Sequence, residues 1–175
     1  MIREACERDL PSILDITNIE IRTDAAHFGT EPLLLDDLRC EIESARGRYP
    51  WVVCETNGAV IGFAKAAPWK PRGAYAWTAE IGVYIAAEHR GRGVGLALYK
   101  ALFPRLRGAN LRTIVAGIAL PNPASVRLHE VFGMRHVGTL RRMGFKLGQW
   151  RDVGYWQVCW GEPEAPPDRP AGFLI

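Results

Sequence analysis

A short polar segment with a glycine at every second position is the part of the sequence whose residue types best suit chemistry. It comprises Arg90, Gly91, Arg92, Gly93, Val94 and Gly95. Glycines leave the backbone N–H groups uncovered, and a helix that begins at Val94 would add free N–H donors and the positive end of its dipole. The two arginines add positive charge around those donors. The segment therefore predicts a cradle for a phosphate group.

Three phosphate-binding patterns compete for this segment. A P-loop requires a Lys-Ser or Lys-Thr pair after its last glycine, and neither pair follows here. A dinucleotide-binding fingerprint counted from Gly93 needs a third glycine at position 98, where Leu98 stands. The remaining pattern is Arg90-x-x-Gly93-x-Gly95 after a strand. Taken alone, this pattern also suits a surface turn with solvated arginines.

The elements on either side of the cradle can be predicted from residue type and spacing. Val83, Tyr84 and Ile85 suit a half-buried strand, which we expect over residues 75–85. A helix should follow from Val94, because apolar residues recur at helical spacing, and a proline at position 104 should end it at about residue 103. The cradle therefore lies between a strand and a helix.

The rest of the chain reads as alternating strands and helices. Helices are predicted from Asp9 onward, over residues 33–48, and from Pro121 to Phe132 with Asn122 as a cap. Strands are predicted near residues 1–6, 51–55, 59–64, 111–120, 135–145 and 150–160, and the Asn57-Gly58 pair between two of them is a strong hairpin signal. The order β-α-α-β-β-β-α-β-α-β-β predicts an α/β chain with one mixed sheet.

Composition excludes several classes of protein. The chain has 175 residues, 48% of them apolar and 23% charged, which suits one soluble domain. Its net charge of +3 is too small to indicate nucleic-acid binding. The four cysteines show no metal-binding spacing, and we expect them to be buried in a reducing compartment. Neither a signal peptide nor a membrane-length apolar run is present, so we expect a cytoplasmic protein without a metal or a membrane partner.

The glycine pattern resembles the acetyl-CoA pyrophosphate loop of the GNAT N-acetyltransferase superfamily. Downstream, Asn122-x-x-Ser125 and the segment 132–134 resemble that superfamily's second cofactor helix and the start of its next strand. A narrower resemblance, to phosphinothricin N-acetyltransferases, covers essentially the whole chain. The segments that carry it are residues 28–32, 68–80, 126–130, 144–146 and 152–157.

The resemblance implies a fold and a co-substrate. The fold is an α/β (α+β) GNAT fold, with a single mixed, mostly antiparallel twisted sheet of about seven strands flanked by about four helices. It should span residues 1–160, followed by a proline-rich tail over residues 161–175. Acetyl-CoA is implied as co-substrate, and a homodimer as the assembly. The residues implied to hold acetyl-CoA are Val83, Tyr84, Ile85, Arg90, Gly91, Arg92, Gly93, Val94, Gly95, Asn122 and Ser125.

Two residues are implied as catalytic. Acetyl transfer to an amino acid needs an uncharged amine, so a base must remove the proton of the ammonium group. Glu80 is the only carboxylate in the strand before the cradle and lies where the family carries its catalytic glutamate; otherwise it is a solvated glutamate at a strand edge. His129 lies where many GNAT enzymes place a tyrosine, and it either protonates the departing thiolate or only orients the reactants.

The substrate implied by the resemblance is a small acidic amino acid such as phosphinothricin, acetylated at its α-amino group in a detoxification reaction. Phe28, Lys70, Arg72 and Tyr75 are implied to contact it, although Lys70 and Arg72 also suit a solvated basic loop. The sequence departs from the family pattern at two positions near Phe28, His27 and Gly29, so the preferred substrate can differ.

Several alternatives remain open at the level of sequence. Methionine sulfoximine and an arsenic analogue of phosphinothricin are chemically similar substrates, and a peptide N-terminus is a further one. A non-catalytic CoA-binding module is the alternative from a different functional class. The aromatic residues near the C-terminus suit either a dimer interface or the core of the sheet; they are Trp150, Tyr155, Trp156 and Trp160.

Overall fold

The computed structural model describes residues 1–161 and contains eleven main elements. The strands are β1 (Ile2–Glu4), β2 (Trp51–Thr56), β3 (Ala59–Pro68), β4 (Thr78–Ile85), β5 (Thr113–Leu120), β6 (Arg135–Lys146) and β7 (Gln149–Cys159). The helices are α1 (Leu10–Thr23), α2 (Leu35–Ala45), α3 (Val94–Gly108) and α4 (Pro123–Val131). The predicted order of strands and helices is confirmed.

The seven strands form one sheet in the order β1-β2-β3-β4-β5-β7-β6. Every neighbouring pair is antiparallel except β4 and β5, which are parallel. The predicted mixed, mostly antiparallel sheet with four helices is therefore confirmed.

The parallel pair β4 and β5 separates partway along its length. Their shared register ends at Glu80 and Val115, although β4 continues to Ile85 and β5 to Leu120. Among the described strands, none lies between the two beyond that point. The separation opens a cleft in the middle of the sheet, bordered by backbone polar groups of β4.

The two faces of β4 meet different parts of the chain. Side chains alternate between the faces of a strand, so Glu80 and Tyr84 point to one side. On that side the ring of His27, in the loop after α1, lies 5.8 Å from the ring of Tyr84. Ile85 points to the other side, next to Gly95 at the start of α3. One face of β4 therefore meets the loop after α1, and the other meets α3.

One apolar cluster holds the helices against the sheet. Its fully buried members include Leu10 and Ile13 of α1, Phe63 of β3, Leu98 of α3 and Ile114 of β5. Burying a side chain of this size stabilises a protein by roughly 1.5–3 kcal/mol. The same cluster contains Ala79 and Ile81 of β4, so it anchors both of the strands that border the cleft.

The β2–β3 hairpin forms where the Asn57-Gly58 signal predicts it. Asn57 has φ of 51° and Gly58 has φ of 80°. Positive φ at both central residues is the conformation that a tight two-residue hairpin turn requires, and Asn and Gly adopt it most readily. The prediction is confirmed.

Helix α3 is longer than predicted, because Pro104 does not end it. The helix continues to Gly108. A proline inside a helix leaves the carbonyl four residues earlier, here that of Lys100, without its backbone donor. The turn that follows is nevertheless held in place, because Leu106 is fully buried in the core. Packing of the last turn therefore outweighs the local cost of the proline.

Strand β4 begins later than predicted. It starts at Thr78, because residues Gly73–Tyr75 form a 3-10 turn closed by a bond from the Ala76 N–H to the Gly73 carbonyl, 3.0 Å. Tyr75 therefore belongs to a turn rather than to the strand. Helix α2 is also shorter than the predicted span of 33–48.

The expectation that all four cysteines are buried is wrong. Cys54 is buried in β2, whereas Cys6, Cys40 and Cys159 are exposed, and all four are free thiols. Cys40 lies two residues after the buried Leu38, which puts it on the opposite face of α2. Cys6 follows the end of β1, and Cys159 is the last residue of β7.

The aromatic residues near the C-terminus have different surroundings. Trp156 is buried in the core, and the ring of Trp160 packs 5.7 Å from that of Phe103. Trp150 is 59% exposed. Trp156 therefore belongs to the core of the sheet, whereas Trp150 is exposed and could contribute to a dimer interface.

The predicted tail over residues 161–175 lies, apart from its first residue, outside the described part of the chain. Within residues 1–161, no helix has the length and apolar character needed to cross a membrane. In the same range, no group of three or more histidine, cysteine or acidic side chains could hold a metal ion.

Candidate active site

Each glycine of the cradle has a structural reason. Gly91 has φ of 71°, and Gly93, the residue that caps the start of α3, has φ of 80°, a conformation that residues with side chains rarely adopt. A Cβ atom on Gly95 would lie 3.1 Å from Cδ2 of Leu128 and 3.3 Å from Cδ1 of Ile85. Glycine therefore shapes the loop at two positions and allows close packing at the third.

Arg90 is engaged by carboxylates. Its guanidinium forms an ion pair with Glu20, whose side chain is 5% exposed, and lies 3.7 Å from Asp24; its Nε donates to the Ile85 carbonyl, 3.1 Å. These contacts join the end of α1 to the cradle. The positive charge of Arg90 is largely balanced, whereas Arg92 is exposed.

A cleft of about 350 Å³ occupies the space between the separating strands β4 and β5. The backbone of residues 81–85 forms one wall, and the start of α4 forms another. The residues predicted to hold acetyl-CoA that line it are Val83, Tyr84, Ile85, Arg90, Gly91, Asn122 and Ser125. Arg92, Gly93, Val94 and Gly95 continue the cradle along the chain into α3. The structure thus brings seven of the eleven predicted residues to one cleft, and the other four follow Gly91 in the chain without lining it.

Asn122 places the start of α4 at this cleft. Its side-chain oxygen accepts a hydrogen bond from the Ser125 N–H, 3.0 Å, and Pro123 occupies the first helical turn. This is the N-cap arrangement expected from the sequence, and it satisfies one of the free donors of the helix. The predicted cap is confirmed.

His129 lines the cleft and is 3% exposed. Its Nδ1 is 2.7 Å from the Ser125 carbonyl, and its Nε2 is 2.8 Å from the Tyr99 hydroxyl. A carbonyl only accepts, so Nδ1 carries the proton and Nε2 accepts from Tyr99. Burial lowers the pKa of His129, and the bond to Ser125 opposes that shift only in part. The imidazole is therefore neutral and has both nitrogens occupied.

Glu80 lies at the point where β4 and β5 separate. Burial raises the pKa of its carboxyl group, and Lys70 and Lys65 partly oppose the shift. A Cβ atom on Gly117 of β5 would lie 3.4 Å from Glu80 Oε1 and 3.2 Å from the Tyr155 ring. The absence of a side chain at Gly117 therefore leaves room for the carboxylate. A half-buried carboxylate with a raised pKa is suited to accept a proton near neutral pH.

A second cavity, of about 500 Å³, lies on the Glu80 face of the sheet. Its wall combines β3, β4, β5, β6, β7, α2 and the loop after α1. This cavity and the cleft share six lining residues: Ala26, Ile81, Gly82, Tyr84, Gly117 and Ala119. The two spaces therefore meet at the separation of β4 and β5, beside Glu80.

The four predicted substrate residues have different positions. Phe28 lines the cavity and packs against Gly144, where a Cβ atom would lie only 2.6 Å from its ring. Lys70 acts on the charge of Glu80 from a position over the Trp69 ring, 4.8 Å from its centroid. Arg72 and Tyr75 are exposed in the adjoining loop and turn. Neither is among the described residues that line the cavity.

The two departures from the family pattern both line this cavity. His27 Nδ1 accepts a hydrogen bond from the Gly29 N–H, 3.0 Å. Burial lowers the pKa of His27, and the charges of Lys65 and Lys146 lower it further. A neutral imidazole and a bare backbone thus occupy one wall of the cavity.

The cavity residues that sequence reasoning missed include Gly117, Lys65 and Glu41. Lys65 Nζ lies 2.5 Å from a carboxylate oxygen of Glu41 and 4.7 Å from the centroid of the Trp51 ring. Two signals were available. A glycine inside an apolar strand often marks a close approach, and a lysine inside the apolar run of β3 is unusual for a buried strand.

Comparisons with known proteins agree with this geometry. The family model "Acetyltransferase (GNAT) family" matches residues 13–134. A phosphinothricin N-acetyltransferase of Streptomyces viridochromogenes is 43% identical over 97% of this chain and 93% of its own length. An L-methionine sulfoximine/L-methionine sulfone acetyltransferase of Pseudomonas paraeruginosa is 34% identical over 90% of this chain and 92% of its own.

Among solved structures, a GNAT superfamily phosphinothricin acetyltransferase from Sinorhizobium meliloti, in complex with acetyl-CoA, superposes with a TM-score of 0.92. It is 31% identical, and the match covers 98% of this chain and 95% of that one. The glycine cradle, the separated strands and these matches together show that the chain belongs to the GNAT family of acetyltransferases.

Proposed function

We propose that this protein transfers the acetyl group of acetyl-CoA to the α-amino group of a small amino acid of the phosphinothricin or methionine sulfoximine type. The observation that carries the proposal is the position of Glu80. It lies where the cleft that contains the cradle meets the cavity on the other side of β4. The names of the relatives described above support the class of substrate.

Glu80 is the general base of the proposed reaction. The substrate enters as an ammonium ion, which cannot attack a carbonyl carbon until it loses a proton. The carboxylate takes that proton directly or through one water molecule. Because its pKa is raised, Glu80 is a stronger base than a solvated glutamate, and its proton affinity is closer to that of the amine.

Acetyl-CoA, when bound, supplies the activated thioester. The backbone of Val83, Tyr84 and Ile85 borders the cleft along the edge of β4 that β5 leaves free, and its N–H groups are suited to orient and polarise a carbonyl. The cradle amides of residues 91–95, with Arg92, suit a pyrophosphate. Asn122 and Ser125 hold the start of α4 against the same cleft.

His129 acts in this proposal as a positioning residue. Of the two roles left open by the sequence, its neutral imidazole favours orientation over proton donation, because the Nδ1 proton is donated to Ser125 and Nε2 accepts from Tyr99. The histidine thereby connects α3 to α4 beneath the cleft.

The substrate is held by the cavity wall and by the basic loop at its edge. Phe28 supplies an apolar surface, and Lys70 and Arg72 supply positive charge for the acidic groups of the amino acid. Tyr75 lies in the turn that follows these two residues. If this loop moved toward Glu80 when the substrate binds, Arg72 and Tyr75 would contact the substrate.

The experiment that tests the proposed function measures thiol release from acetyl-CoA with a panel of amines. The panel contains phosphinothricin, methionine sulfoximine, glutamate and a short peptide, and Glu80→Gln is compared with the wild-type protein. We expect turnover on the first two that is lost in the variant while acetyl-CoA binding persists. Preference for the peptide would favour acetylation of N-termini instead. Binding of acetyl-CoA without turnover on any amine would favour a non-catalytic CoA-binding module.

We also propose that the enzyme is a homodimer. Large apolar side chains are exposed on the edge strand β6 and the start of β7: Val137, Leu140, Met143, Phe145 and Trp150. An exposed edge strand with an apolar surface is a common contact between chains. Sedimentation of the wild-type protein should give twice the chain mass of 19.5 kDa, and Phe145→Glu should give the monomer. A wild-type monomer would contradict the proposal.

The four free thiols support a reducing compartment, and on that basis we place the protein in the cytoplasm. Localisation of a tagged full-length protein tests this assignment, and recovery from an oxidising compartment with intramolecular or intermolecular disulfides would overturn it.

A further inference from the structure

Lys65 is a charged residue of the substrate cavity that the proposed mechanism does not use. It lies in β3, where its register partner is Gly82 of β4, and it lines the cavity that contains Glu80. Its side chain is 21% exposed. A lysine held this far inside a protein costs free energy unless its charge has a partner or a task.

Glu41 of α2 holds the Lys65 ammonium group in one place. Its carboxylate oxygen is 2.5 Å from Lys65 Nζ, and the ring of Trp51 lies beneath the same atom, 4.7 Å from centroid to Nζ. An ammonium group has three N–H donors. The ion pair with Glu41 occupies one of them, and an aromatic face stabilises the charge without accepting a directed bond from every remaining donor.

The distance between Lys65 and Glu80 along the sheet suits the length of a substrate. Ala67 is the register partner of Glu80, and Lys65 is the partner of Gly82, two residues further along the same face. Two residues of a strand span about 7 Å. This is comparable to the extent of an amino acid with a glutamate-length side chain, from its α-amino group to its distal atoms.

We propose that Lys65, held by Glu41, is a specificity-determining residue that donates a hydrogen bond to an oxygen atom on the distal group of the substrate side chain. The inference rests on the proposed function, because it takes the α-amino group to lie at Glu80. Sulfone, sulfoximine and phosphinate groups all carry such an oxygen. A thioether does not, and it would leave the Lys65 ammonium group without that partner.

Lys65 differs in this respect from the basic loop. Lys70 and Arg72 are exposed at the edge of the cavity, where they suit the α-carboxylate that all amino acids share. Lys65 is part of the cavity wall and meets the part of the substrate in which amino acids differ. Changes at the two lysines should therefore have different effects on selectivity.

The test compares methionine sulfone with methionine, which differ only in the two distal oxygens. Steady-state kcat/KM is measured for wild type, Lys65→Met and the matched control Lys70→Met. Where turnover is too slow to follow, the inhibition constant against phosphinothricin replaces kcat/KM. We expect Lys65→Met to lower kcat/KM for the sulfone by about 10- to 100-fold, the usual effect of losing a hydrogen bond from a charged donor, and to change methionine by less than about threefold. Lys70→Met should weaken both substrates by similar factors.

A third variant tests the role of Glu41. Glu41→Gln keeps the shape of the partner but removes its charge, so it should reduce the preference for the sulfone by less than Lys65→Met does. Equal losses on sulfone and methionine in Lys65→Met, with its thermal unfolding unchanged, would overturn the inference, because Lys65 would then act on Glu80 rather than on the distal group. Absence of wild-type turnover and binding for every amino acid in the panel would overturn the proposed function and this inference together.

Discussion

Glu80 lines the cavity and His129 lines the cleft that meets it, and both are ionisable side chains removed from water, yet their surroundings differ in kind. Burial raises the pKa of Glu80, and among the described residues no hydrogen bond stabilises its carboxylate. His129 is more deeply buried, and both its ring nitrogens have partners. An ionisable group is available for proton transfer when burial shifts its pKa and its polar atoms remain unoccupied. Burial alone does not make a catalytic residue.

The largest expected effect comes from replacing each residue by glutamine. Glu80→Gln should lower kcat by about 10²- to 10⁴-fold, the usual contribution of a general base. His129→Gln should lower kcat by less than about tenfold, because glutamine can still donate and accept a hydrogen bond. Thiol release at saturating substrate measures both. A loss in His129→Gln as large as that in Glu80→Gln would show that the histidine transfers a proton.

A smaller effect is expected from filling the space beside Glu80. Gly117→Ala would place a Cβ atom 3.2 Å from the Tyr155 ring and 3.4 Å from Glu80 Oε1. Displacement of the carboxylate by a few tenths of an ångström should lower kcat/KM by about tenfold. The matched control is Gly138→Ala in β6, where a Cβ atom would meet no atom within 4 Å. Similar kinetics for the two alanine variants would show that the close approach at Gly117 has no role.

The pH dependence of kcat/KM should reflect Glu80 and not His129. Since Glu80 works as a carboxylate with a raised pKa, activity should be lost as the pH falls through that pKa, which lies above the value of a solvated glutamate. Lys70 holds this pKa down, so Lys70→Gln should move the acid limb to higher pH. The measurement is the pH at the midpoint of the acid limb in the profile of kcat/KM, not the maximum value of kcat/KM. A shift of the limb in His129→Gln would assign it to the histidine.

The smallest expected effects are on stability, and they should have opposite signs. The folded-state pKa of Glu80 lies above its unfolded value, so the ionised carboxylate destabilises the fold at pH above that unfolded value. Glu80→Gln should therefore raise the free energy of unfolding slightly at pH 8 and have no such benefit near pH 4. Tyr99→Phe removes the hydroxyl that donates to His129 and should lower stability by about 1 kcal/mol.

Urea unfolding of the two variants at both pH values checks these signs. Destabilisation by Glu80→Gln at pH 8 would mean that the carboxylate makes a stabilising contact, and the contrast with His129 would then disappear. An unchanged free energy of unfolding in Tyr99→Phe would mean that His129 Nε2 finds another hydrogen-bond donor in the folded variant.

Local signals in the sequence determined the framework of the site. Asn57-Gly58 specified a hairpin because few residue pairs tolerate two positive φ angles, and the glycines of residues 91–95 specified a loop that ends in a helix N-terminus. The position of Glu80 in the strand before that loop followed from the same pattern. Each of these features depends on backbone conformation or periodicity over a few residues, so the chain carries the information locally.

Only the tertiary structure decided which distant residues meet. Glu20 pairs with Arg90 across 70 positions of the sequence, and Lys65 pairs with Glu41 because the fold brings both side chains to the wall of one cavity. Gly117 reaches Glu80 because β4 and β5 are parallel neighbours that then separate. Packing also overrode local preference where α3 continued through a proline. Sequence patterns have no access to such contacts, since the contacts depend on how the elements pack and not on the residues beside them in the chain.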